Sequence, residues 1–168
     1  MSISMYKATV PVFISMLTNL STILKKADHY AESKKIDPSA LINARLAPDM
    51  FPFARQIQIA TDAAKGCAAR LANLEIPSFP DTETTFSQLD ERLTKTINFL
   101  KTVNASQIDG SEERSITLKV AGQELQFKGQ EFTLHFALPN FYFHISMAYA
   151  ILRHNGLDIG KKDYLGSL

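Results

Sequence analysis

Leu138-Pro139-Asn140-Phe141-Tyr142-Phe143-His144-Ile145-Ser146-Met147-Ala148-Tyr149-Ala150-Ile151-Leu152-Arg153-His154-Asn155-Gly156 is the stretch whose reading decides the fold. Its middle is apolar on every face, so as a helix it belongs inside the protein, with Asn140 and His144 as polar exceptions. Pro139 suits the first helical turn, and Asn155-Gly156 suits a left-handed stop. A histidine buried in such a helix needs a partner.

Just before this helix, Phe132, Leu134, Phe136 and Leu138 alternate with Thr133 and His135, which fits either a third short strand or an irregular approach. Further upstream Ile116, Leu118 and Val120 alternate with Thr117 and Lys119. With Gly122-Gln123 as a two-residue turn and Leu125 and Phe127 alternating back, this predicts a β-hairpin over about 115–128. After the helix comes a glycine-punctuated tail that Tyr164 and Leu165 can pin to the body.

The rest of the chain reads as helices. Ile3, Tyr6, Val10, Phe13, Leu17, Leu20, Leu24 and Ala27 recur at three- and four-residue steps, with Pro11 predicting a kink or a start after it. Asp37-Pro38 caps a short connector through about Asn43. Beyond Pro48-Asp49-Met50-Phe51-Pro52, a second long helix carries Phe53, Ile57, Ala60, Ala64, Cys67, Leu71 and Leu74 on its seam. That seam is alanine-rich with Gly66 beside it, so a neighbour can approach closely or leave room for a pocket. Gln56, Gln58 and Asp62 are its notable polar residues, and Cys67 reads as a buried structural thiol. Asp81-Thr82-Glu83 is expected to supply cap and first-turn acid to a third helix whose apolar face is Phe86, Leu89, Leu93, Ile97, Leu100 and Val103. The expectation is an all-α four-helix bundle, one domain over 1–168, with a small β-hairpin inserted before the last helix.

Composition narrows the function classes. The chain has 168 residues, 45% hydrophobic, and a formal charge of +1, so it offers no broad positive field for nucleic acid or an anionic membrane. The lone Cys67 forms no internal disulfide and fits a reducing, cytoplasmic setting. The N-terminus lacks a basic leader, and Ser15, Thr18 and Asn19 interrupt its apolar residues, so neither a signal peptide nor a membrane span is expected. No Gly-rich phosphate loop, CxxC, HExxH or GxSxG motif occurs.

His144 is followed nine residues later by Arg153 and twelve later by Gly156. This ending resembles the closing motif of DinB/YfiT-like four-helix bundles, and the chain as a whole resembles that superfamily's uncharacterised domain-of-unknown-function branch. The resemblance implies a divalent metal held by three histidines, one from the second long helix and two four residues apart on the last. Here His144 stands at the last of those positions, Asn140 lies four residues before it, and Gln56 is the corresponding second-helix residue. As an enzyme, the resemblance implies a metal-dependent transferase or isomerase using a thiol cofactor, with His144 as ligand or general base.

The residues themselves leave three readings of Asn140 and His144, which project from one helix face. They form a hydrogen-bonded core pair, or line a small-molecule pocket with Gln56, Tyr142 and Tyr149, or hold a metal. Neutral amides bind zinc or nickel weakly, so tight metal binding is not expected. His154 lies ten residues beyond His144, about 15 Å along the helix, and suits the helix end, while His135 could reach the pocket from outside. Phe127 and Tyr164, read as exposed aromatics, suggest a homodimer.

Overall fold

Ser4 opens the first helix by accepting a hydrogen bond from the Lys7 backbone N–H at 3.3 Å, and α1 then runs Met5–Lys34. The computed structural model describes residues 3–120 and 122–166. Pro11 lies inside α1, which does not wait for the proline to begin. Both Pro11 and Lys7, whose carbonyl loses its helical donor there, sit on the exposed side, where water can replace the missing bond. Ile3, predicted as the start of the seam, precedes the helix and is exposed.

The connector α2 (Pro38–Ile42) starts at Asp37, which caps the Ser39 N–H at 2.9 Å. The other long helices are α3 (Phe53–Ala72), α4 (Phe86–Thr102) and α7 (Leu138–His154). They form a four-helix bundle in which α3 packs on α7 and α4, and α1 packs on α4. Alanines 60, 64 and 68 of α3 are fully buried, and their small side chains let neighbouring helices come close. By length and composition α1 could cross a membrane; here its Val10, Phe13 and Leu17 lie in the bundle core.

Short elements link α4 to α7: α5 (Ala105–Ile108), strands β1 (Ser115–Val120) and β2 (Gln123–Lys128), and the one-turn α6 (Gly129–Glu131). Register pairs Val120 with Gln123, so Gln123, predicted in the turn with Gly122, is the first residue of β2. Gly122 has φ +80°, a conformation that glycine adopts freely, and Ala121 lies outside the described residues. Phe132–Ala137 is neither strand nor irregular: it is a π-helical segment running straight into α7, and the Leu138 N–H bonds back five residues to the Thr133 carbonyl. The alternation that suggested a strand reflects side chains shared between the core and an open face.

Helix α7 itself is not enclosed on every side. Phe141, Ile145, Ala148 and Leu152 are buried, while Tyr142 is 37% and Phe143 51% exposed. The helix occupies a corner of the bundle, so only the stripe facing its neighbours is covered. The tail helix α8 (Lys161–Leu165) is pinned as expected: Asn19 Nδ2 donates to the Tyr164 carbonyl at 3.1 Å, and the Ser146 and Tyr164 hydroxyls meet at 3.0 Å. Tyr164 is therefore half-buried. Phe127 is too, packed against Phe132 and Phe136, so neither is the exposed aromatic that the homodimer expectation rested on.

The cap of α4 is Thr85 with Gln88 in a capping box, not Asp81-Thr82-Glu83. Those acids serve Arg92 instead. This arginine is buried, and every nitrogen of its guanidinium is engaged: Nε donates to Thr61 Oγ1 at 2.7 Å, Nη1 to the Pro80 carbonyl at 3.1 Å and Glu83 at 3.0 Å, and Nη2 to Asp62 at 2.9 Å, with Asp81 completing an ion pair 3.0 Å from Nη2. Asp81 also pairs with Arg55, and Asp62 with Lys65 at 2.6 Å, so the cluster is charge-balanced. Arg92→Met is expected to cost about 3 kcal/mol in urea unfolding, the low end for removing one partner of a buried ion pair, because Asp62 and Asp81 keep access to water. Arg92→Lys should recover little of this, since an ammonium offers three donors where the guanidinium places five.

Candidate functional site

Helices α3 and α7 bring Gln56 and His144 together across 88 residues of sequence, with His144 Nδ1 2.7 Å from Gln56 Oε1. Gln56 Nε2 donates to the Phe51 carbonyl at 3.0 Å, which leaves Oε1 as the acceptor and assigns the ring proton to Nδ1. His144 is thus neutral and bonded to Gln56, not to Asn140. Burial, with the Arg55 charge added, holds the ring well below the usual histidine range, at about 4. Among the described residues only Ser111 Oγ is a fully buried side-chain polar atom without a partner, so His144 Nε2 reaches solvent. Its lone pair is open, but a ring so acidic when protonated is a weak general base at neutral pH.

Beside this pair lies a cavity of about 600 Å³ between α3, β1, the π-helical segment and the start of α7. Asn140 lines it, one helical turn before His144, which does not. The two residues share a side of α7 but part company: His144 turns to Gln56, and Asn140 faces the cavity. Apolar walls come from Ile59 on α3 and from Phe132 and Phe136, whose rings stack 6.0 Å apart at 20°. Those rings are four residues apart in a turn wider than an α-helical one, and this places them on one face. Arg55, Asp62, Arg70 and Lys119 supply charge around it. A smaller cavity of about 200 Å³ touches Arg92, but there the guanidinium is already saturated by protein acceptors.

Of the residues singled out in the sequence, Gln56 and His144 come together, and Asn140 lies next door on the cavity wall. Tyr142 is exposed and stacks edge-on to Phe141, while the Tyr149 hydroxyl donates to the Ile159 carbonyl at 3.3 Å and holds the tail. His135 and His154 are exposed. The α7 end is finished by Asn155, whose Nδ2 donates to the Ile151 carbonyl at 2.8 Å, and not by His154. Sequence reading noted Asp62 but missed the cations of the lining; Arg55 and Arg70, fifteen residues apart on α3, carry no motif and gain meaning only from the hairpin folded across them.

The donor set does not suit a resident divalent ion. Gln56 Oε1 is engaged by His144, the nearby Asn140 is a neutral amide, and no group of three His, Cys, Asp or Glu side chains gathers among the described residues. Cys67 also borders the cavity, but burial pushes its thiol up to about 12, so it stays protonated.

His144→Phe should cost about 1–3 kcal/mol in urea unfolding by stripping Gln56 of its donor; adding Gln56→Leu should recover part of that, and Asn140→Leu should not. The pH dependence has a definite sign. The unfolded ring takes up a proton near 6.5 and the folded one only near 4, so wild type should lose stability relative to His144→Phe as pH falls between those values.

Residues 5–165 match the profile of DUF1993, a domain of unknown function. No curated protein matches the chain. A crystal structure of a DinB family member from Shewanella denitrificans is 42% identical, with a TM-score of 0.87 over 97% of this chain and 92% of that one. A shared profile over nearly the whole length, and that likeness in both sequence and backbone, lead to one conclusion: the chain belongs to the DUF1993 family and has a DinB-like fold.

Proposed function

We propose that this protein binds a small molecule in the cavity between α3, β1, the π-helical segment and α7, and that a neutral His144–Gln56 pair has replaced the metal triad of familiar DinB-like proteins. The observation that carries the reading is the π-helical turn, which sets Phe132 and Phe136 as a flat apolar wall opposite α3. Such turns recur at functional sites because they trade regular helix for the placement of particular side chains. The volume, about 600 Å³, lies within the range of sites that enclose small ligands, and Asn140 gives the wall an orienting polar group. The metal-dependent transferase or isomerase using a thiol cofactor has less behind it: Gln56 and Asn140 are neutral amides that hold zinc or nickel weakly, and Gln56 Oε1 is engaged by His144.

N-phenyl-1-naphthylamine, a neutral dye that fluoresces in apolar sites, tests the reading directly. One site per chain is expected in wild type. Ala63→Phe, which fills the cavity from the α3 side, should weaken binding at least about tenfold without lowering the unfolding midpoint. Absence of binding, or binding that Ala63→Phe leaves intact, would overturn the proposal.

A further inference from the structure

We infer that the ligand of this cavity carries an anionic head on a flat apolar body, and that Arg70 and Lys119 receive the head; this rests on the cavity being a ligand site. The charge ledger of the lining is the starting point. Arg55 is answered by Asp81, and Asp62 by Lys65 and Arg92. Arg70 and Lys119 have no ion-pair partner within 4.0 Å among the described residues. Glu124 faces Lys119 across the hairpin register, yet the two side chains form no ion pair within 4.0 Å. The cavity therefore presents two cations from two separate elements, neither held by an ion pair among the described residues.

Arg70 is half-buried, and its Nη1 donates to the Gly66 carbonyl at 3.0 Å, which occupies one of its five N–H groups. A Cβ at Gly66 would stand 2.6 Å from that nitrogen, so the glycine provides the space in which the guanidinium lies. Positive charge near a helix C-terminus accounts for a basic residue at this position, but not for Lys119 converging on the same cavity from β1. A guanidinium fork binds carboxylate, sulfonate or phosphate through paired hydrogen bonds, and the ammonium adds a point charge. The stacked Phe132 and Phe136 rings offer the matching wall for an aromatic or extended apolar body.

Two dyes with the same ring skeleton separate this inference from the one beneath it: 8-anilino-1-naphthalenesulfonate, and N-phenyl-1-naphthylamine, which lacks only the sulfonate. Wild type should bind the sulfonate at least about tenfold more tightly, with a preference that shrinks as salt rises. Arg70→Met and Lys119→Met should each weaken sulfonate binding about five- to tenfold and leave the neutral dye within about twofold. Lys119→Met lies on the hairpin, away from the α3 terminus, and carries the test should Arg70→Met fail to fold. If the neutral dye binds and Ala63→Phe blocks it, but the sulfonate gains nothing or both Met variants leave it unchanged, the anion inference alone falls. If neither dye binds, the cavity reading falls and this one with it.

Discussion

The saturation of Arg92 is the constraint on which the rest of this structure depends. A guanidinium removed from water requires an acceptor for every N–H, and here those acceptors come from α3 and from the segment between α3 and α4. The consequence is geometric. Residues 79–83, with Pro80 next to Phe79, are held against the bundle, and the Phe79 ring lies 5.7 Å from the guanidinium and 5.0 Å from Lys65 Nζ. Because Asp81 also answers Arg55, and Asp62 both borders the cavity and binds Arg92, the charges on the cavity face of α3 are arranged by the same cluster. Among the described residues, Arg70 and Lys119 are left without an ion pair on the cavity side.

The His144–Gln56 pair and the cavity beside it are separate devices. His144 and Gln56 join α7 to α3 through a neutral hydrogen bond, extended by Gln56 to the Phe51 carbonyl. Asn140, one turn away, is released into the cavity because its neighbour's partner lies elsewhere. The π-helical turn then advances Phe132 and Phe136 over the same space, so polar and apolar parts of the wall come from one continuous stretch of helix.

The closing motif that makes the family legible has a structural explanation. Arg153 Nη1 donates to the Leu157 carbonyl at 3.1 Å and so secures the turn after α7. Gly156 has φ +91°, and a Cβ there would stand 2.8 Å from the Tyr30 hydroxyl, which itself donates to the Asn155 carbonyl at 3.3 Å. Gly156 serves chain closure against α1 and Arg153 the turn after α7, whereas His144 belongs to the bundle interior.

By itself the sequence determined the four long helices, the connector at Asp37-Pro38, the hairpin and the pinned tail. The resemblance read from its closing motif also pointed to Gln56 and His144 as candidate positions. These follow from interactions within a few residues, such as caps, seams of period 3.6 and strands of period 2, or from a spacing pattern that the chain displays directly. Tertiary structure alone decided the rest. That His144 takes Gln56 and not Asn140 depends on which way α7 is turned toward a helix 88 residues earlier. That Asp81 and Glu83 bind Arg92 and leave the capping of α4 to Thr85 depends on how far back the linker folds over α3. The π-helical turn was hidden because its alternation of Phe132, Leu134 and Phe136 also satisfies a strand, and only burial of Phe132 and Thr133 beside exposed Leu134 and His135 distinguishes them. The meeting of Arg70 with Lys119 needs α3 and β1 to share one cavity, and a side chain's local sequence carries no record of what folds over it.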